Sequence, residues 1–371
     1  MPFSAIDHAM MARALRLARR GCYTTQPNPR VGCVLTRDGD IVGEGFHEYA
    51  GGPHAEINAL AQAGDWARGA TAYVTLEPCS HTGKTEPCSQ ALIEAKVQRV
   101  IAAMEDPNPL VSGRGLQQLR ESGIDASSGL MADEAAALNP GFIKRMREGM
   151  PWVRLKMAAS LDGRTAMASG ESKWITGTAA RQDVQRLRAR SDAILTGVGT
   201  VLADDPSMNV RLGKDELGIQ RAPHQPLRVV LDTDLQTPPA ARIFGEDGRL
   251  IILHDSDERD RQQALEDKGA ELVQMPRVDG RLDLHRVLQW LAKREVNECH
   301  VEAGSVLAGA LLRAALVDEL IIYMAPHLMG DAARGIAAIP GLLTMSDRIA
   351  VEIDDIVAVG KDWRITAKVA R

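Results

Sequence analysis

Apolar positions recur along this chain at two spacings, helical and strand-like, that take turns from one end to the other. Residues 4–20 carry apolar side chains at helical spacing behind Ser4, a residue suited to cap a helix. After the turn-rich stretch TTQPNPR, the apolar run VGCVLT (31–36) and residues 41–45 flank an Asp38-Gly39-Asp40 turn, which predicts a hairpin. Helical character follows at 55–63, 89–95 and 115–122, and short strand-like runs at 70–76 and 97–104. Around 139–152 the texture changes: NPGFIKRMREGMPW holds two Pro, two Gly and a basic cluster. A new strand opens at 153, so two domains are expected, 1–148 and 149–371. The second repeats the style, with strands at 153–158, 192–197, 227–232, 249–253, 298–302, 318–324 and 363–369 and helices at 178–189, 283–294 and 305–315. Residues 204–226 read as loop and 325–348 as irregular. Strands alternating with helices make both domains α/β.

Composition narrows the function classes. The net charge of −5 speaks against a protein that lives on nucleic acid. Five cysteines, an odd number in a 371-residue chain, speak against a disulfide framework. The N-terminus reads as an amphipathic helix rather than a leader, and no run approaches the roughly 18 apolar residues of a membrane span. A cytoplasmic protein with no membrane partner is expected.

The chemistry is densest at His54-Ala55-Glu56, Pro78-Cys79 and Pro87-Cys88. A catalytic zinc takes three protein ligands and keeps one position open. His54, Cys79 and Cys88 supply three, and no nearby residue offers an evident fourth. Glu56, two residues past the histidine, is placed to move protons without ligating. An H-x-E motif with paired Pro-Cys steps is the zinc deaminase signature. The eight residues between Cys79 and Cys88 depart from the usual two. Cys22 and Cys33 read as ordinary core thiols, while His47 and His81 are either substrate contacts or plain loop histidines.

In the second half no G-x-G-x-x-G follows a strand, so a Rossmann site is not supported. A strand ending in Glu302-Ala303-Gly304-Ser305 runs into a helix. Such a junction either aims free N–H groups at an anion or is an ordinary β-to-α turn. Arg188, in RLRARS, has the look of a solvated helix end.

The segments QPNPRVGCV (26–34), GEGFHEYAGGPHAE (43–56), TLEPCSHTGKTEPC (75–88) and EDPNP (105–109) resemble the deaminase domain of the RibD family of bifunctional riboflavin biosynthesis proteins. The long insert between the cysteines is typical of that family. VRLKMAASLDGRTA (153–166), SKWITG (172–177), the stretch 186–211 and VEAGSVLAGALL (301–312) resemble its reductase domain. The resemblance implies a cytidine-deaminase-like three-layer α/β/α domain followed by a dihydrofolate-reductase-like α/β domain. It implies zinc and NADPH as cofactors and a small pyrimidine ribosyl phosphate as substrate, deaminated first and then reduced from ribosyl to ribityl. It implies that Asn28, His47 and the 79–88 loop approach the pyrimidine ring. Ala158, Trp174, Thr200, Asp204 and Thr233 would touch the nicotinamide cofactor, and Gly304, Ser305, Val306, Leu307, Ala308, Gly309 and Ala310 would cradle its pyrophosphate. Ser172, Arg188, Met208, Arg211 and Glu302 would hold the substrate. A homo-oligomer, dimer or tetramer, is expected by the same resemblance. The competing classes are a deaminase of nucleosides, free bases or tRNA, and a zinc-stabilised binding protein without turnover.

Overall fold

The computed structural model describes residues 3–80, 87–109 and 111–370, and the chain divides into two compact units, Met1–Gly149 and Met150–Arg371. In the first unit the order is α1 (Ala5–Arg19), β1 (Gly32–Arg37), β2 (Asp40–Phe46), α2 (Ala55–Ala63), β3 (Thr71–Val74), α3 (Cys88–Glu94), β4 (Arg99–Ala102), α4 (Arg114–Glu121), β5 (Asp125–Ser128), α5 (Ala132–Leu138) and α6 (Pro140–Glu148). The sheet runs β2-β1-β3-β4-β5, antiparallel across β1 and parallel from β3 to β5. Alternate residues of β1 leave by opposite faces. Val34 joins Met11, Leu15, Tyr73 and Ile101 under α1 and α5, whereas Cys33 and Leu35 join Ala59, Leu92, Leu116 and Leu119 under α2, α3 and α4. Helices thus cover both faces, giving the expected three layers.

Helix α6 fills most of the stretch 139–152, and the chain divides just past its end, after Gly149. Pro140 sits in its first turn, where a missing N–H costs nothing, and Gly149 closes it with φ 66°. The residues that read as a break are the helix's two ends.

The second unit contains β6 (Trp152–Ser160), α7 (Thr178–Ala189), β7 (Ala193–Gly197), α8 (Val198–Asp204), β8 (Leu227–Leu231), β9 (Leu250–His254), α9 (Arg259–Glu266), β10 (Ala270–Gln274), α10 (Leu284–Lys293), β11 (Glu298–Glu302), α11 (Ser305–Arg313), β12 (Glu319–Ala325), β13 (Val351–Val359) and β14 (Asp362–Val369). Nine of its strands form one sheet in the order β10-β9-β8-β7-β11-β6-β12-β14-β13. The first seven are parallel and the last two antiparallel. The chain leaves β6, skips a place to β7, and later fills the gap with β11. That switch sets the carboxyl ends of β6, β7 and β11 side by side, where ligands of open α/β sheets bind. Elements α8, α9, β10 and β13 had no counterpart in the apolar pattern.

The close approach of α2 to β2 sets the first site. A Cβ on Gly45 would lie 2.3 Å from the Ala55 carbonyl oxygen and 2.6 Å from the Ala59 nitrogen. Gly45→Ala therefore pries the helix off the strand, and chemical denaturation should show a loss of about 1–3 kcal/mol. An unchanged midpoint would mean that the contact is slack.

Candidate active site

His54 is the N-cap of α2, extended at φ −71° and ψ 164°, and its ring makes no capping bond. The imidazole is thereby left for other partners. Glu56, in the first turn of α2, is buried at 3% exposure. Pro87 starts α3, so Cys88 is its first residue, and Cys79 lies on the segment that follows β3. Three separate elements thus deliver one imidazole and two thiols whose ligand atoms all lie within 4.8 Å of one another. His54 Nδ1 is 3.2 Å from Cys88 Sγ and 3.6 Å from Cys79 Sγ. Ligands around a tetrahedral zinc stand about 3.5 Å apart, so the donor set fits that ion. The Cys88 backbone N–H points at Cys79 Sγ, 3.3 Å away.

The electrostatics agree. The hydrogen bond from Cys88 lowers the Cys79 thiol to about 4, with His54 adding to the effect, while the same contact and burial push Cys88 far up. Two adjacent thiols, buried Cys88 and half-buried Cys79, share one negative charge, and a divalent cation is what lets both ionise. Burial lifts Glu56 to about 7, His54 working against it and Cys79 with it.

His47 is buried at 3% exposure. Its Nδ1 lies 3.0 Å from the Pro53 carbonyl oxygen, and Asn28 Nδ2 lies 3.0 Å from its Nε2. A carbonyl only accepts, so the ring donates to Pro53 and accepts from Asn28, which fixes a neutral tautomer. Burial lowers its basicity further. His47 and His54 meet edge to face at 5.5 Å. Asn28 and His47 therefore stand beside His54, whereas residues 81–86, His81 among them, lie outside the described residues.

Glu77 was not anticipated. Its buried carboxylate accepts from the backbone N–H groups of Asp106, Gly113, Gly115 and Leu116 at 2.8–3.2 Å. It ties the EDPNP turn and the start of α4 to the segment bearing Cys79. The clue is its place two residues before Cys79, but the four partners are scattered over 106–116.

In the second unit, Glu302 closes β11 and pairs in register with Lys156 of β6. Arg188 of α7 grips Glu302 with two bonds, Nε–Oε1 at 2.5 Å and Nη2–Oε2 at 3.0 Å, and gives Nη1 to the Asn209 carbonyl at 3.0 Å. Its side chain is 9% exposed, so it is no solvated helix end. Burial opposes the Glu302 charge, but Arg188, His300 and Lys156 outweigh it and hold the carboxyl well below its usual range. Thr196 Oγ1 donates to the Glu302 carbonyl at 2.6 Å, stitching β7 to β11.

Both neighbouring helices start at glycines with no side-chain cap, α8 at Gly197 and α11 at Gly304. Free N–H groups at adjacent helix starts suit the phosphates of a dinucleotide. Not every N–H of the expected stretch 304–310 is free. The Ala308 N–H bonds the Gly304 carbonyl at 3.1 Å, and a Cβ on Gly309 would lie 2.0 Å from the Ala338 carbonyl. Ala308 and Gly309 face the core, and Ala310 sits a turn beyond the free donors, which leaves Gly304, Ser305, Val306 and Leu307 at the mouth. Thr200 lies in α8 and Asp204 ends it, with Ser172 Oγ 3.4 Å from Asp204 Oδ1. Trp174 is 72% exposed and stacks on Arg181. Ala158 lies on β6 opposite Tyr323, Thr233 follows β8, Met208 is buried and Arg211 exposed.

Residues 4–104 match the cytidine and deoxycytidylate deaminase zinc-binding region, and residues 151–365 match the RibD C-terminal domain. The riboflavin biosynthesis protein RibD of Escherichia coli is 52% identical over 362 residues, covering 96% of this chain and 97% of its own. The RibD of Haemophilus influenzae is 49% identical, covering 99% and 98%. The solved Acinetobacter baumannii RibD superposes with a TM-score of 0.90 at 44% identity, covering 99% of each chain. A Thermotoga maritima diaminohydroxyphosphoribosylaminopyrimidine deaminase/5-amino-6-(5-phosphoribosylamino)uracil reductase gives 0.85 at 31%, covering 98% and 99%. Fold and site define a two-domain enzyme, a cytidine-deaminase-like unit joined to a reductase. The chain belongs to the RibD family. It is a bifunctional enzyme of riboflavin biosynthesis, a zinc-dependent deaminase and an NADPH-dependent reductase. Among the described residues no helix is long and apolar enough to cross a membrane.

The Glu77 clamp can be tested on its own. Glu77→Gln turns an amide N–H toward backbone N–H donors, and thermal unfolding should register a loss of about 2–3 kcal/mol. Unfolding indistinguishable from the parent would remove the clamp from the account.

Proposed function

We propose that residues 1–148 deaminate 2,5-diamino-6-ribosylamino-4(3H)-pyrimidinone 5′-phosphate and that residues 149–371 then reduce its ribosyl group to ribityl. The observation that carries the first half is Glu56, buried in the first turn of α2 beside the convergent His54, Cys79 and Cys88. In this reading those three hold zinc, which supplies the Lewis acidity that makes water nucleophilic near neutral pH. Glu56 takes a proton from that water and returns it to the leaving amine, so ring carbon exchanges nitrogen for oxygen and ammonia departs. A carboxyl lifted to about 7 by burial suits both directions of transfer. Asn28, oriented by neutral His47, offers the ring its remaining amide groups.

In the second half NADPH supplies hydride to the sugar's C1. The protein's part is placement. Free N–H groups from Ser305 to Leu307 hold the cofactor's phosphates, and Ala158, Trp174, Thr200, Asp204 and Thr233 line its path. Glu302, fixed by Arg188 and set against Lys156, receives the ribose hydroxyls, and Ser172, Met208 and Arg211 surround the phosphate end.

The homo-oligomer reading is supported by β13, an edge strand of nine residues with Val351, Ile353 and Ile356 roughly half exposed, beside exposed Trp363 of β14. An open apolar edge of that length calls for a second copy of the chain. Cys33, Cys79, Cys88 and Cys299 are outside any disulfide, which supports a cytoplasmic setting.

Glu56→Gln should lower deamination at least about a hundredfold with zinc content and reduction of the deaminated substrate intact. Retained turnover would remove the proton-transfer role. Ile353→Lys should shift the light-scattering mass toward the monomer, and an unchanged oligomer would place the interface elsewhere.

A further inference from the structure

The substrate end of the reductase site is built on the loop 205–211, and nearly every residue of it is fastened from another element. The Arg242 N–H bonds Asp205 Oδ1 at 2.8 Å, and Arg242 Nη2 bonds Ser207 Oγ at 3.0 Å. Asn209 Nδ2 bonds Glu246 Oε2, Gln225 brackets Val210 through both its amide atoms, and Gln185 accepts from the Arg211 N–H. Asp205 and Met208 hold positive φ angles of 44° and 54°. Non-glycine residues stay in that region only where surrounding contacts over-determine them, a condition common at ligand clamps.

A rigid loop needs a cation to face a phosphate, and Arg188 is largely committed. Three of its five N–H groups go to Glu302 and the Asn209 carbonyl, and its side chain is 9% exposed. Two other arginines are open. Arg211 is exposed, and its guanidinium has no hydrogen-bond partner among the described residues. It lies within electrostatic reach of Arg242, Arg188, Glu246 and Glu302. Arg242 is exposed too, and only its Nη2 is engaged, leaving Nε and Nη1 without partners among the described residues. The Ser207 bond pins its guanidinium to the loop's rim, so the two free donors are oriented in advance rather than recruited.

We infer that Arg242, held by Ser207 and Asp205, joins Arg211 in seating the phosphate monoester of the substrate, while Arg188 positions Glu302 behind them. The inference rests on the proposed ribosyl phosphate substrate. The same chemistry would also accept the 2′-phosphate of NADPH, so the test separates the two sources.

Arg242→Gln and Arg242→Lys are to be assayed in the full chain with the deaminated ribosyl phosphate, its dephosphorylated counterpart, NADPH and NADH. An unchanged far-ultraviolet circular dichroism spectrum and an unchanged kcat with the dephosphorylated compound certify that the second unit is folded. Arg242→Gln should raise KM for the phosphorylated substrate about tenfold or more, with kcat nearly kept. It should leave the dephosphorylated substrate and both nicotinamide cofactors unaffected, and Arg242→Lys should recover part of the loss. An unmoved KM overturns the inference, as does a rise confined to NADPH with NADH unchanged, which would assign the guanidinium to the cofactor. Parent enzyme that reduces the dephosphorylated compound as well as the phosphorylated one would overturn the ribosyl phosphate reading, and this inference with it.

Discussion

Everything in the first unit turns on one electrostatic constraint: two thiols and an imidazole crowd together where only one negative charge is comfortable. Cys79 is already drawn down to about 4 by its neighbour, and Cys88 is driven up by the same contact. A divalent cation resolves the conflict, and the surrounding structure exists to hold the conflict in place. Gly45 lets α2 press on β2 so that His54 and Glu56 reach the cleft. Glu77 ties the Cys79 segment to α4, and Ser89, buried beside Cys88, sets its hydroxyl 3.0 Å from the Cys79 carbonyl. Such backbone anchors fix ligand direction more firmly than side-chain packing alone.

The second unit solves a different problem with similar means. Hydride transfer asks for placement, and the switch in strand order lines up three strand ends and two uncapped helix starts. Buried charge then sets the details. Glu302 stays ionised because Arg188 grips it from α7 and Lys156 faces it from β6. The pair is costly to bury unless every atom is used. The carbonyl of Asn209, which takes the remaining Arg188 contact, links that pair to the loop 205–211.

The convergence of His54, Cys79 and Cys88 was legible because its chemistry is local: a histidine and a glutamate on one helical turn and two Pro-Cys steps. Helices and strands with a clear apolar face, such as α7, α10 and β11, were legible for the same reason. The misreadings have physical causes. β13 escaped notice because all of its residues are exposed or nearly so and a bulge between Ile353 and Asp355 interrupts its alternation. Glu77 and Asn209 gain their importance from backbone groups far along the chain, which no motif spells out. Arg188 read as a solvated helix end from its own neighbourhood, and only the sheet beneath α7 shows that it is buried in an ion pair.

Zinc K-edge absorption spectroscopy of the purified protein tests the central claim most directly. The account predicts one zinc per chain with two sulfur scatterers near 2.3 Å and two lighter ones, one from His54 and one not from the protein. A shell of four sulfurs, or one with no sulfur at all, would contradict it.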